Sequence, residues 1–245
     1  MSILFTADFQ CDFGNIDRCQ QAWDEILYIC KKEVIKYIAV LGDLKQAMNP
    51  VDIRVVKWWQ NAIRKAKKLG FEVIIMLGNH DRVGAYSNAD NWLSILQRAG
   101  AATFDKPGTY KAGEITLYLL CYQNESNTRL GALKCKEMLS KSKTKTNILC
   151  FHQDISGSKY NQQGSKSDGK LSLLDIGSSN YNYCIGGHIH FPQKIAENTY
   201  YVGSPFCHDW GEVNQIKRYI IVRDGVLHSV YSDIPRWFDS EVSGF

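Results

Sequence analysis

The chain has 245 residues, 44% of them hydrophobic, and a formal net charge of +4. That is enough apolar matter for one large core, and so mild a charge neither demands a polyanionic partner nor excludes one. Eight cysteines without a C-x-x-C pair, most inside apolar runs such as "LLCY" and "ILCF", argue against a disulfide scaffold and for a reducing compartment.

In chain order, short apolar segments rich in β-branched and aromatic residues read as strands at Ile3–Thr6, Tyr37–Leu41, Glu72–Leu77, Ile115–Cys121, Asn147–Phe151, Tyr183–Ile185, Tyr200–Val202, Arg218–Val222 and Val226–Tyr231. Between them, apolar residues recur at helical spacing at Ile16, Cys19, Trp23, Ile26, Leu27 and Cys30. A second helix runs from Val55 through Trp59, Ile63 and Ala66 and stops at Gly70. Weaker helices fit Asn88–Arg98 and Ala132–Ser140. Strand–helix alternation in the first half implies a parallel sheet covered by helices; the strand-rich end from Tyr183 implies a mostly antiparallel sheet beside it. The fold class is therefore α/β. One domain over residues 1–234 with a short tail, 235–245, is expected, since no Pro/Gly/Ser-rich linker divides the chain. No apolar run approaches a membrane span and no signal-peptide pattern opens the chain, so a cytoplasmic protein without a membrane association is expected.

The chemistry gathers just past the strand ends, where open α/β sheets place reactive groups. Asp8 and Gln10 follow the first strand, Gly42-Asp43 the second, and Gly78-Asn79-His80-Asp81 the third. His152 follows "NILCF", and Gly187-His188-Ile189-His190 follows "YCIG". Any of these standing alone reads as a turn, a helix cap or a packed imidazole. Together, Asp, Asn and neutral His suit a divalent ion such as Mn²⁺, Fe²⁺ or Zn²⁺.

This set resembles the calcineurin-like metallophosphoesterases in residue types and chain order. The resemblance implies a double β-sheet sandwich flanked by helices, with two metal ions, Mn²⁺ foremost and Mg²⁺, Fe²⁺ or Zn²⁺ as alternatives. It implies that Asp43 bridges the ions, that Asp8, Gln10 and His190 complete one site, and that Asn79, His152 and His188 complete the other. A metal-activated hydroxide would then attack phosphorus while His80 assists the leaving group and Asp81 orients His80.

Gln10 stands where this family usually has histidine. Three outcomes are open: its carbonyl ligates, it holds a metal-bound water, or the first site is weak or empty. The neighbouring Cys11 should point to the opposite side of an extended chain as a buried thiol.

The segment "YYVGSPFCHDWGE", residues 200–212, is similar to the stretch after the last metal ligands in SbcD-type DNA repair exonuclease subunits. That resemblance implies a nuclease acting on DNA in repair or recombination, with an SbcC-type ATPase as partner; a homodimer is a second arrangement. Lys159, Lys166 and Lys170, in a long polar loop after His152, are candidate contacts to DNA phosphates. A lysine-rich stretch from Lys134 to Lys145 reads first as a solvated helix end and only second as a DNA contact. Two rivals stand: a phosphodiesterase or phosphatase of the same fold acting on small molecules or nucleotides, and a non-catalytic scaffold with a degenerate metal site.

Overall fold

The computed structural model describes residues 1–84 and 90–235. Two six-stranded sheets carry the chain. The first begins with β1 (Ser2–Thr6), β2 (Tyr37–Val40), β3 (Glu72–Met76) and β4 (Ala102–Phe104), joined through α1 (Ile16–Lys32), α2 (Ile53–Lys68) and α3 (Leu93–Arg98). The second contains β5 (Gly108–Ala112), β6 (Ile115–Leu120), β7 (Thr146–His152), β8 (Tyr183–Gly187), β9 (Gln193–Ala196) and β10 (Thr199–Tyr201), with α4 (Glu125–Ser140) between β6 and β7. The chain then returns to the first sheet as β11 (Arg218–Arg223) and β12 (Val226–Tyr231). The strand orders are β12-β11-β1-β2-β3-β4 and β5-β6-β7-β8-β10-β9.

The parallel run β1-β2-β3-β4 is the one the alternating pattern predicts. The strand-rich end is corrected. It does not form a separate antiparallel sheet: β8 joins β7 in parallel, while β11 crosses to pair antiparallel with β1. Three short strands, β4, β5 and β9, are absent from the sequence reading. Their mostly half-buried residues mix apolar and polar types without a clean alternation. Helix α4 begins earlier than predicted because Asn124 caps it, its side chain accepting from the Asn127 N–H at 3.0 Å. The segment predicted as a helix from Asn88 is described only from Asp90 onward, and there the helix begins at Leu93. The tail beyond 235 lies outside the described residues.

β1, β2 and β3 are buried along nearly their whole length, as near-continuous hydrophobic runs require. Phe9, Trp23 and Trp59 pack edge to face at 5.1–6.1 Å, locking α1 and α2 over the start of the chain. All eight cysteines are free and buried, and Cys11 is among them, as expected. Burial holds the Cys30, Cys121 and Cys135 thiols up near about 12. Among the described residues no helix is long and apolar enough to cross a membrane.

β1, β2 and β3 are parallel to one another, and so are β7 and β8. Their carboxyl ends meet across the gap between the sheets: His152 Nδ1, at the end of β7, donates to the Leu41 carbonyl just after β2 at 2.6 Å.

Candidate metal centre

The loops at this meeting point approach more closely than side chains normally allow. A Cβ built on Gly78 would lie 2.2 Å from Asp43 Oδ1. One on Gly42 would lie 2.5 Å from His152 Nδ1, and Gly42 also adopts φ +92°. These glycines precede Asn79 and Asp43 because only a bare backbone lets the loops interleave. Strain concentrates here as well: Asp8, Gln10, Asp43 and His188 all have positive φ, at 55°, 44°, 53° and 86°. Such conformations cost on the order of 1–3 kcal/mol each and persist where the surroundings over-determine them.

The predicted site residues fall into two groups. In the first, Asn79 Oδ1 lies 3.0 Å from His152 Nε2 and 2.9 Å from His188 Nδ1. Asp43 Oδ1 lies 3.3 Å from His152 Nε2. Ligand atoms of Asp43, His152 and His188 all fall within 4.8 Å of one another. Two atoms bound to one ion at ~2.0–2.2 Å sit about 3 Å apart, so the spacing is that of a coordination shell.

The hydrogen bonding makes the same point. Leu41 O can only accept, so His152 carries its proton on Nδ1 and turns a lone pair at Nε2 toward the site. That lone pair faces the oxygens of Asn79 and Asp43, which are acceptors too. Three acceptors at 3.0–3.3 Å need a cation or a proton among them. The titration behaviour records this demand. Burial alone would lower the His152 pKa, but the Asp43 carboxylate outweighs it and raises it to about 9. Asp43 is held below the usual carboxylate range, the charge of His152 overcoming its burial. His188 is pushed down to about 4 by burial and by the nearby His152.

The second group is looser. Both Asp8 carboxylate oxygens accept from the His188 backbone N–H, at 2.9 and 3.0 Å. Burial raises the Asp8 pKa to about 6 against the opposing pull of His152 and His190. Gln10 Nε2 donates to Asp43 Oδ2 at 2.9 Å, while its Oε1 is buried with no hydrogen-bond partner. His190 Nδ1 donates to Glu212 at 2.6 Å, which leaves Nε2 available. Asp43 thus faces both groups, one oxygen toward each.

His80 stands at the rim, half-buried. Its backbone N–H donates to Asp43 Oδ1 at 2.9 Å, and its ring Nδ1 donates to the Gln46 carbonyl at 2.5 Å. The expected Asp81–His80 pair does not form. Asp81 is fully buried and accepts from the backbone N–H groups of Gly78, Asp43 and Leu44 and from Trp92 Nε1, at 2.9–3.1 Å. Consecutive side chains diverge here: His80 turns outward and Asp81 inward, where it ties two site loops together. Trp92 is buried, whereas Trp210 is exposed.

Four contributors escape the sequence reading. Glu212 is buried, holds His190 and pairs with Lys217 Nζ at 2.6 Å. Burial would raise its pKa, but His190 and Lys217 outweigh that and lower it to about 2. His208 Nε2 donates to the Asp8 carbonyl at 2.9 Å. Lys45 is buried with its ammonium on the carbonyls of Ala47 and Met48 at 2.8 and 3.0 Å, and on that of His80. The phrase "CHDWGE" contains two of these residues, but its only visible signal is the proximity of a histidine and a carboxylate to a turn.

Of the candidate substrate residues, Lys159 and Lys166 are exposed and face each other as a bridged pair in the loop after His152. Lys170 is exposed and lies 3.6 Å from Glu125. Lys143 and Lys145 precede β7, at the opposite end of that strand from His152, which fits the solvated reading.

A calcineurin-like phosphoesterase family model matches residues 1–192, and the chain belongs to that family. Glu212 and Lys217 lie beyond the matched residues. The chain is similar to the phosphoesterase YfcE from E. coli at 13% identity, covering 94% of this chain and 92% of that one, with a TM-score of 0.44. It is similar to the nuclease MPE from Pseudomonas putida at 13% identity, with coverage of 93% and 87% and a TM-score of 0.43. A dimetal phosphatase from Danio rerio is 10% identical, with coverage of 95% and 99% and a TM-score of 0.49.

Proposed function

We propose that the protein is a metal-dependent phosphodiesterase that cuts DNA, a nuclease subunit of the SbcD type. The observation that carries the metal requirement is the convergence of acceptor atoms from Asp43, Asn79 and His152. Asp43, Asn79, His152 and His188 would hold one divalent ion, and Asp8, Gln10, Asp43 and His190 the other. Mn²⁺ is the proposed metal. When bound, such ions supply Lewis acidity, making water nucleophilic near neutral pH and offsetting charge on phosphoryl oxygens.

The remaining work falls to the chain's own residues. Leu41 and Glu212 fix the imidazoles of His152 and His190 so that each turns Nε2 inward. Asp81 and Lys45 hold the loops that carry Asp43 and His80. Because Nδ1 of His80 donates to Gln46, a proton at Nε2 is the one it can pass to a departing oxygen.

The nuclease reading draws on the loop after His152. Tyr160 and Asn161 of that loop line a cleft of about 300 Å³ together with His188 and His190. Lys159, next to Tyr160 in the chain, bridges to Lys166, and these two exposed lysines would meet phosphates of a bound strand. An SbcC-type ATPase as partner is part of the proposal on resemblance alone.

A second reading, a phosphodiesterase for small nucleotides, is favoured by a different cavity. About 620 Å³ in volume, it is lined by His188, Tyr122 and Gln153 and also by Asp154 and Asp168. Those carboxylates, beside Lys170, can accept from hydroxyl and amino groups of a nucleoside. The two readings separate on incubation with Mn²⁺ and either linear DNA or bis-p-nitrophenyl phosphate. DNA cleavage that weakens when Lys159 and Lys166 are both changed to Ala supports the nuclease. Hydrolysis of the small ester with intact DNA supports the second reading and removes the first.

A further inference from the structure

The ligand reading just given, on which this inference rests, leaves unexplained why an amide occupies position 10. We propose that Gln10 makes the two halves of the centre prefer different ions: a hard cation beside Asp8 and His190, a softer one beside His152 and His188.

Gln10 is only 3% exposed, and its Oε1 is buried without a partner. Leaving a buried acceptor unpaired costs on the order of 1–3 kcal/mol. The amide cannot relieve this by turning over, because that would place Oε1 against Asp43 Oδ2, oxygen against oxygen, where Nε2 now donates at 2.9 Å. The backbone is equally committed. Gln10 N–H donates to Asp43 O at 3.0 Å, and Asn15 Nδ2 donates to the Gln10 carbonyl at 2.9 Å. The residue is held in place with a free carbonyl lone pair beside a carboxylate, an arrangement that a cation completes.

The donor sets then differ. Asp8, Gln10, Asp43 and His190 offer three oxygens and one nitrogen. Asp43, Asn79, His152 and His188 offer two oxygens and two nitrogens. Carboxylate and carbonyl oxygens suit Mg²⁺ and Mn²⁺, and imidazole suits Zn²⁺ and Fe²⁺. A histidine at position 10 would give both halves two nitrogens and remove the difference. The amide also contributes a neutral oxygen rather than an imidazole, so Zn²⁺ loses more than Mn²⁺ does in that half.

Calorimetric titration of the metal-free full-length chain, with bound metal counted after dialysis, tests this without reference to activity. In the wild type, the second Zn²⁺ should bind at least about tenfold more weakly than the first, a gap wider than the one for Mn²⁺. In Gln10→His the second Zn²⁺ should tighten by a similar factor and the gap should close. Gln10→Glu keeps an oxygen donor and adds charge, so it should tighten Mn²⁺ without closing the Zn²⁺ gap. Two Zn²⁺ ions bound equally well by the wild type would overturn the inference while leaving the two-metal reading intact. So would equal tightening of Zn²⁺ by Gln10→His and Gln10→Glu. A wild type that binds no divalent ion would overturn both.

Discussion

The two halves of the centre are built to different standards. Around Asn79, the candidate ligand atoms already stand 2.9–3.3 Å apart, and His152 is oriented by a backbone carbonyl of the opposite sheet. Around Asp8, the carboxylate is held by the His188 N–H, Gln10 leans on Asp43, and His190 is oriented by a glutamate side chain. The first half rests on strand ends, whose positions the sheet ladders dictate. The second also follows strand ends, those of β1 and β8, but its His190 is held by Glu212 from the segment between β10 and β11, which has only a short 3₁₀ turn of its own. Rigid backbone preorganises a site more tightly than a chain of side-chain contacts, so the Asp8 half is the one that substitutions away from the centre should loosen.

The largest expected effect leaves both halves in place and removes the chemistry between them. His80→Ala should lower kcat by about 10²–10⁴-fold, as loss of a proton donor does, with two ions still bound. The loss should be greater for a DNA ester than for an activated aryl ester, whose leaving group needs no proton. Undiminished turnover of DNA would remove His80 from the mechanism.

Glu212→Gln strikes one half only. It deprives His190 of its carboxylate and leaves Lys217 without its ion-pair partner. One of the two ions should bind about 10–100-fold more weakly, and the other should be unaffected, as seen by titration with Mn²⁺. Equal weakening of both would mean that the halves are not independent.

Lys45→Met has the smallest expected effect on binding. It strips the ammonium from the carbonyls of Ala47, Met48 and His80. Buried carbonyls without donors should cost about 1–3 kcal/mol in urea unfolding. Because Gln46 holds the His80 ring, kcat should fall while both ions still bind. Lys45→Arg should recover part of the activity. A variant with normal kcat but lowered stability would make Lys45 purely structural.

What could be seen in the sequence follows the same division. Strand ends announce themselves by an apolar run that stops at Gly-Asp or Gly-Asn-His, so Asp8, Asp43, Asn79, His152, His188 and His190 were all legible. Their glycines were legible as turns, but not as the bare backbone that lets Gly78 lie against Asp43. Glu212, His208 and Lys45 were not legible. A lysine or glutamate in a loop looks solvated until the fold supplies a partner, and His208 meets Asp8 from 200 residues away. For Asp81 the resemblance implied a pairing with His80, but its carboxylate is taken up by the N–H groups of Gly78, Asp43 and Leu44 and by Trp92. In the fold, the buried parallel strands were readable and the short edge strands β4, β5 and β9 were not, since half-buried edges lack a strong period.

The most direct test of the account is a crystal grown in excess Mn²⁺ with anomalous data collected near the manganese edge. A strong peak is expected among Asp43, Asn79, His152 and His188, and a second between Asp8, Gln10 and His190. No peak beside Asp43 and His152 would contradict it, because the facing acceptors would then be held together by a proton alone.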